Sequence, residues 1–448
     1  MTKITFIGAG STIFCKNVLG DVLLTPALQD SEIVLYDINQ QRLDESFAML
    51  TTLNKNINEN RAKIKAYCGV PNRRKALKNA DFVVNAIRVW DFTISEAIDF
   101  AIPAKYGLRQ TIADTLGIGG LFRALGSGEH MLHFAEDMEK VCPNAWFLNY
   151  TNPMCALTGL MLRHTNIRTV GLCHSVQACV RSLINTLELQ DQYDLSKFRA
   201  KIAGINHQAW LLELKYDGRD VYQEIKDIAF RKLDEWLAAP KEKKSANMVR
   251  LEVMRKFGYY VTESSEHSSE YMPYWIKRNY PEMIDAYNIP LDISPVRCRK
   301  IVADWNKQYK DICENPVLTH KKSAEFACGI MESMVTNTPY TIAGNVLNHG
   351  FIENLPAEAV VEVPCLVNAN GVQGTYFGRL PTQCAAINQT NINTQLLTIE
   401  AIVTRKREKI YQAAMLDPHT AAELNPDDII KMVDEMIAAH GDRLPQYN

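Results

Sequence analysis

Residue types that can do chemistry gather in a few short stretches of this chain. Gly171-Leu172-Cys173-His174-Ser175 sets a cysteine beside a histidine at the end of an apolar run, and Gly204-Ile205-Asn206-His207 supplies a second histidine further on. A thiolate and an imidazole together suit a divalent transition metal, and a site with two protein ligands leaves positions open for substrate oxygens. From spacing alone, a buried thiol with two hydrogen-bonded histidines is the commoner arrangement. What favours a metal at Cys173 and His207 is position, because both stretches fall where a ligand crevice is expected. Asn149-Tyr150-Thr151-Asn152-Pro153 reads as a turn whose amides can build structure or hold sugar or carboxylate oxygens. Gln110 to Thr115 (QTIADT), followed by Gly117 to Gly120, reads equally as a plain loop or as a flexible one over a site. Thr262 to Tyr271 (TESSEHSSEY) brings glutamates, serines, a histidine and a tyrosine together; it suits a solvated helix start, and it also has the types needed for proton transfer.

A further signal opens the chain. MTKITFIGAGS places Ile4, Phe6 and Ile7 in a short apolar run that breaks into Gly8-Ala9-Gly10. Such a run suits a buried parallel strand, and the two glycines permit a tight turn and close approach of backbone N–H groups to a pyrophosphate. Ser11 and Thr12 begin the helix-compatible stretch that runs to Leu24. The third position of the usual glycine fingerprint is Ile13, so the turn alone is weak. Asp37 strengthens it by closing a second apolar run, Glu32 to Ile38, where an acid would take the adenosine ribose hydroxyls. A carboxylate there favours NAD+ over NADP+, since it repels a 2′-phosphate.

The elements that must position these residues follow an alternation. Apolar runs at Ile4 to Ile7, Ile33 to Tyr36, Phe82 to Ala86, Trp146 to Leu148 and Val170 to Cys173 are separated by longer amphipathic stretches, which predicts an α/β domain. Its core is a Rossmann-like, doubly wound parallel sheet of the lactate and malate dehydrogenase type. Ligands gather at the carboxyl ends of such strands. Those ends hold Gly8 to Thr12, Asp37, Ile87-Arg88, Asn149 to Pro153 and Cys173-His174. Beyond about residue 200 the texture becomes mixed α+β, with a strand at Ala209 to Tyr216, charged helices at Glu224 to Leu237 and Arg299 to Glu314, and an exposed loop at Ala239 to Asn247. Short strands or hairpins are expected in 341–380, then helix from Gln395 to His440 broken at Asp417-Pro418. The division expected is a nucleotide-binding domain over 1–200 and a substrate, metal and oligomerisation domain over 201–448.

Composition sets limits on partners. The 448 residues are 47% hydrophobic and carry a formal net charge of -2, so nothing calls for nucleic acid or an anionic membrane. The opening apolar run is too short to span a bilayer and lacks a signal-peptide pattern. Eleven cysteines without CxxC pairs suit reduced thiols better than a disulfide framework. Cytoplasmic residence is the expectation.

Taken together, GAGST (Gly8 to Thr12), NYTNP (Asn149 to Pro153), GLCHS (Gly171 to Ser175) and GINH (Gly204 to His207) resemble the NAD- and metal-dependent glycoside hydrolases of family 4 in order and spacing, over nearly the whole chain. QTIADTLG (Gln110 to Gly117), YVTESSEHSSEY (Tyr260 to Tyr271), VEVPCLVNANG (Val361 to Gly371) and AAMLDPHTAAEL (Ala413 to Leu424) resemble family members that act on α-galactosides such as melibiose. The resemblance implies a redox-neutral hydrolysis with NAD+ held as a catalyst and a divalent metal, usually Mn2+, on the sugar C2 and C3 oxygens. Its steps are C3 oxidation, C2 deprotonation, C1 elimination, water addition and re-reduction.

By the same resemblance Cys173 and His207 are the metal ligands. His174 assists the leaving group, while Asn149 and Asp114 hold sugar hydroxyls. Gly8, Gly10, Ser11, Thr12, Asp37 and Asn149 bind the cofactor. For the C2 base, relatives place a tyrosine or aspartate where this chain has serines. Tyr271, Glu266 and Glu263 are therefore candidates, with Tyr271 preferred and a water relayed by Ser264 also open. Relatives are commonly dimers or tetramers. Members that act on 6-phosphosugars need cations at the phosphate, for which Arg88, Arg123 and Arg297 are available; α-glucosides and galacturonides are further alternatives. Two rivals stand outside the family. A 2-hydroxy-acid dehydrogenase shares the opening fold but needs no metal, and an idle nucleotide sensor would bind ligand without turnover.

Overall fold

Ile4, Phe6 and Ile7 are wholly buried, and the strand they form takes the middle of the parallel half of the sheet because apolar packing is available on both of its faces. The structure is a computed structural model that describes residues 1–448. β1 (Lys3–Ile7), β2 (Glu32–Asp37), β3 (Lys63–Cys68), β4 (Phe82–Asn85), β5 (Trp146–Asn149) and β6 (Arg168–Gly171) are parallel in the order β3-β2-β1-β4-β5-β6. This is the doubly wound order. Ile4, Phe6 and Ile33 face α1 (Thr12–Leu24) and α2 (Gln40–Asn58) through Val18, Val22, Leu43 and Leu50, while Ile7, Val34, Val83 and Phe147 face α3 (Gly117–Val141) through Met131, Phe134 and Met138. All five runs expected as strands are strands. β3 is an addition: KIKAYC alternates Lys63 and Lys65 with apolar residues, as an edge strand half in water does.

The second half continues the same sheet. β7 (Phe198–Ile205) and β8 (Gln208–Tyr216) are antiparallel, with the short β9 (Arg219–Asp220) and β10 (Tyr260–Val261) on β8. β11 (Tyr340–Leu347) and β12 (Val360–Asn368) form a long antiparallel pair, extended by β13 (Gly371–Gly374). That pair is wedged between β6 and β7, giving one 13-stranded sheet, β10-β8-β7-β12-β11-β6-β5-β4-β1-β2-β3, with β9 and β13 on its flank. At the two seams the pairing narrows to a single residue pair, Asn345 opposite Gly171 and Glu362 opposite Gly204. Strands from both sides of residue 200 thus share one sheet.

Elsewhere the local signals behave as their chemistry dictates. The charged stretch 239–247 holds one exposed turn, Lys241–Lys243. The C-terminal helical region begins at Thr382 and breaks three times rather than once, into Thr382–Thr404, Arg407–Leu416, Pro418–Glu423 and Pro426–His440. Asp417 and Asn425 cap the last two through Thr420 and Asp428 N–H groups. No helix is long and apolar enough to cross a membrane.

Candidate active site

The glycine turn is built as a phosphate cradle requires. Gly8 has φ +84°, and a Cβ there would lie 2.6 Å from the Ala86 carbonyl carbon, so β1 and β4 can come this close only without a side chain. Ser11 precedes α1 without any side-chain capping bond, which leaves the first-turn N–H groups at Thr12 and beyond free to meet an anion. Asp37 ends β2 and accepts from the Gly10 N–H at 2.7 Å and the Asn39 N–H at 2.9 Å. A cleft of ≈ 560 Å³ bordered by Gly8, Asp37 and Ile38 runs into a second cavity of ≈ 400 Å³, the two sharing Ile87 and Arg88. Cys173 and His174 border the second cavity.

That second cavity sits where the parallel and antiparallel parts of the sheet meet. Cys173 follows β6 and His207 follows β7, and neither strand touches the other. What spaces them is the β11–β12 pair, whose Asn345 donates to Glu362 Oε1 at 3.1 Å and to the Gly171 carbonyl at 3.3 Å. Gly171 is obligatory at this seam, since a Cβ would lie 2.6 Å from both Met154 Sδ and Thr158 Oγ1 and 2.9 Å from Asn345 Cβ. The result is a group of Cys173, His207 and Glu263 whose ligand atoms lie within 4.8 Å of one another.

Charge at this group is strongly organised. Burial alone would push the Cys173 thiol up, yet the adjacent His207 outweighs it and holds the thiol below its ordinary value. Burial likewise works against an imidazolium at His207, but Cys173, Glu263 and Asp114 raise it to about 10. Glu263 is held low by His207 and His267 against the effect of burial. A thiolate, a carboxylate and a buried imidazole whose Nδ1 finds no protein partner offer sulfur, nitrogen and oxygen to one cation, and they fit a divalent transition metal. Beneath them, burial and the nearby Cys173 push Glu362 up to about 8.

The other expected residues distribute around this group. His174 Nε2 meets Glu325 Oε2 at 2.9 Å, and that bond raises the imidazole pKa. Asp114 lies 3.6 Å from His267 Nε2; burial would raise its carboxyl, but His267, Arg123 and His207 together hold it well below the usual range. Its loop is tied by Glu270, whose Oε1 accepts the Thr111, Ile112 and Ala113 N–H groups at 2.6, 2.9 and 3.1 Å. Tyr271 is buried, and its phenol oxygen accepts from the His207 N–H at 3.2 Å; burial raises its pKa well above the ordinary value. Glu266 turns to Arg297, Nη2 to Oε1 2.5 Å. Asn149 is fully buried and its amide is committed to Asn85, Thr151 and Thr158. Its neighbours Tyr150, Thr151 and Asn152 reach the cavity instead, and Asn152 Oδ1 has no partner. Arg88 and Arg123 border the cavity too, with Arg88 against Cys298 Sγ at 3.3 Å.

Three residues of this site escape sequence reasoning. Glu325 has no local signal linking it to His174, and Glu362 sits in a run that reads as an ordinary strand. His267 lies inside TESSEHSSEY, where its ring centre comes 4.7 Å from that of His207 and its Nδ1 meets Ser264 Oγ at 2.9 Å.

Residues 3–189 match the model of the family 4 glycosyl hydrolases, and residues 202–420 match that of the family 4 glycosyl hydrolase C-terminal domain. An α-galactosidase of Bacillus subtilis is 56% identical over 447 residues, covering 100% of both chains. An α-galactosidase of Rhizobium meliloti is 33% identical, covering 99% of this chain and 89% of its own. Among solved structures, a 6-phospho-α-glucosidase from gut microorganisms in complex with NAD and Mn2+ superposes with a TM-score of 0.78 at 20% identity over 100% of both chains. A Thermotoga maritima 6-phospho-β-glucosidase with manganese, NAD+ and glucose-6-phosphate gives 0.77 at 20% identity, covering 99% of this chain and 100% of its own. At such identities these structures speak for the fold alone.

Proposed function

The chain belongs to the family 4 glycosyl hydrolases, and from that premise we propose that it is an α-galactosidase. It hydrolyses α-galactosides such as melibiose by C3 oxidation, C2 deprotonation, C1 elimination, water addition and re-reduction. The observation that carries this reading is the Cys173–His207–Glu263 group opening beside a dinucleotide cleft, in a chain 56% identical along its whole length to an α-galactosidase. NAD+ and Mn2+ are the cofactors we assign, in keeping with the similar structures that hold both. When bound, NAD+ supplies a reversible hydride acceptor and the cation a Lewis acid for the sugar C2 and C3 oxygens.

The chain's own residues do the rest. Cys173 and His207, with Glu263 beside them, would hold the cation; Gly8, Gly10, Ser11, Thr12 and Asp37 would hold the dinucleotide. His174, whose protonated form the Glu325 hydrogen bond favours, carries a proton to the leaving oxygen. Asp114 and the turn residues Tyr150, Thr151 and Asn152 orient sugar hydroxyls. We assign the C2 proton to Tyr271, because Glu266 faces Arg297 and Glu263 faces His207, while the His207 backbone N–H donates to the phenol oxygen and so favours the phenolate against burial. We place the domain boundary near residue 200: the glycine turn and Asp37 belong to 1–200, the subunit contacts to 201–448, and the metal group takes Cys173 from the first and His207 and Glu263 from the second. We place the enzyme in the cytoplasm, where its eleven free cysteines stay reduced, as a homodimer or homotetramer. Exposed Val296, Ile301 and Val302 are the surface to examine for a subunit contact.

The test is hydrolysis of p-nitrophenyl α-galactoside by chelator-treated, cofactor-stripped protein, with NAD+ and Mn2+ added singly and together. Nitrophenol release only with both, and no net NADH, is the expected result. Steady NADH accumulation would show a dehydrogenase, and preference for the 6-phosphorylated galactoside would move Arg88 and Arg123 into the substrate site.

A further inference from the structure

The nucleotide cleft has a wall that its fingerprint does not account for. Together with Asp37 and Ile38, the cleft is bordered by Asp442, Arg443, Leu444 and Pro445, which lie more than four hundred positions downstream of the glycine turn. This segment is not a loose end resting on the surface. Leu444 and Tyr447 are 7% and 8% exposed, within the cluster that includes Ile402 and Ile410. Asn448 exchanges backbone bonds with Arg405 and Arg407 at 2.9 and 2.8 Å. The Arg405 guanidinium pairs with Glu129, which itself borders the cleft. On the other side, His440 is wholly buried, bonded to Asp99 at 2.9 Å and packed against the Trp90 ring at 4.4 Å between centres; Trp90 also borders the cleft. Residues 442–445 are therefore held at both ends, and between the anchors they present an acid, a cation and two apolar residues to the cleft.

We propose that residues 442–445 bind the adenosine half of the dinucleotide, a role that rests on reading the cleft as an NAD+ site. Leu444 and Pro445 cover the flat purine, and the exposed Arg443, whose Nη1 donates to the His440 carbonyl at 3.3 Å, borders it from the solvent side. The position follows from Asp37: a ribose held by that carboxylate puts the base toward Ile38 and this wall. A rigid wall supplied in advance spares the complex the ordering of a loop, which is where pre-organisation adds affinity.

The experiment is calorimetric titration of the full chain, of the double variant Arg443→Ala, Pro445→Gly, and of a chain lacking 442–448, each with NAD+, 5′-AMP and nicotinamide mononucleotide. The double variant keeps Leu444 and Tyr447, so it decides the question if the shortened chain fails to fold. Both variants are expected to bind NAD+ and 5′-AMP about tenfold more weakly, with nicotinamide mononucleotide unchanged. A loss under about threefold in the double variant, or an equal loss for all three ligands, would overturn the assignment. If the unmodified chain binds neither NAD+ nor 5′-AMP, the dinucleotide reading falls and this role falls with it.

Discussion

Replacing Gly171 by alanine adds one methyl group where β6 meets β11, and the consequence can be worked from distances. The new Cβ would sit 2.6 Å from Met154 Sδ, 2.6 Å from Thr158 Oγ1 and 2.9 Å from Asn345 Cβ. The Met154 thioether can swing aside. Thr158 cannot yield cheaply, because its hydroxyl accepts the Asn149 amide at 3.2 Å, and Asn345 is locked between Glu362 and the Gly171 carbonyl. Forcing an extra carbon into a packed interior costs about 1–3 kcal/mol, enough to lower the melting temperature of a chain this long by about 1–3 °C. The larger effect is on the metal group. Cys173 lies two residues beyond the strained point and Asn345 is part of the spacer toward His207, so relief of the clash shifts the thiolate relative to the imidazole. Gly171→Ala should therefore weaken Mn2+ binding by about tenfold or more, measured by electron paramagnetic resonance of free Mn2+. Adding Thr158→Ala removes one clashing atom and should restore part of the loss, a coupling on the order of 1 kcal/mol. A Gly171→Ala protein with unaltered melting and unaltered Mn2+ affinity would refute the account of the seam.

Other outcomes follow from the same site. In the metal-free protein His207 titrates at about 10, above its ordinary 6.5, while Cys173 and Glu263 are held low. The stability His207 contributes is thus complete below about pH 6.5 and is lost as pH rises through about 10. A cation must displace the His207 proton, so Mn2+ affinity should climb about tenfold or more per unit between about pH 7 and 9, with proton release seen in buffers of different ionisation enthalpy; a flat profile would contradict it. His174→Ala should slow melibiose hydrolysis by about 10²–10⁴-fold but barely affect p-nitrophenyl α-galactoside, whose leaving group needs no proton. Equal losses on both substrates would remove His174 from that role. Glu270→Gln should loosen the loop that carries Asp114 at a cost on the order of 1–3 kcal/mol, lowering kcat with Mn2+ affinity intact; full activity would show that the loop holds itself.

What the sequence discloses and what it conceals divide along physical lines. β1, β2, β4, β5 and β6 are buried on both faces, so their residues form plain apolar runs, and the polar groups at their ends mark the crevice. β3 is half in water at an edge, and its alternation of Lys63 and Lys65 with Ile64 and Ala66 passes for part of an amphipathic helix. Cys173 and His207 are legible because each ends a strand beside glycine-containing motifs. Glu325 is not, since its bond to His174 joins positions 151 residues apart and nothing local records it. Asn345 and Glu362 are hidden for a related reason: each reads as a stray polar residue in a strand until the other faces it across the hairpin. Asn149 shows the converse, because composition marks its turn while only packing reveals that its amide points inward.

The hairpin of β11 and β12 also governs when the enzyme can come into being. On a ribosome, β6 and β7 emerge early and pair with β5 and β8, yet neither has its second neighbour until residue 368 has been synthesised, so each waits with one open edge. Unpaired edges recruit other strands. Fragments ending near residue 200, or starting there, carry that vulnerability permanently, and they leave Cys173 and His207 on separate polypeptides. The metal centre is accordingly among the last things this chain completes, and nascent chains stalled before the hairpin should be clients of chaperones rather than partial catalysts.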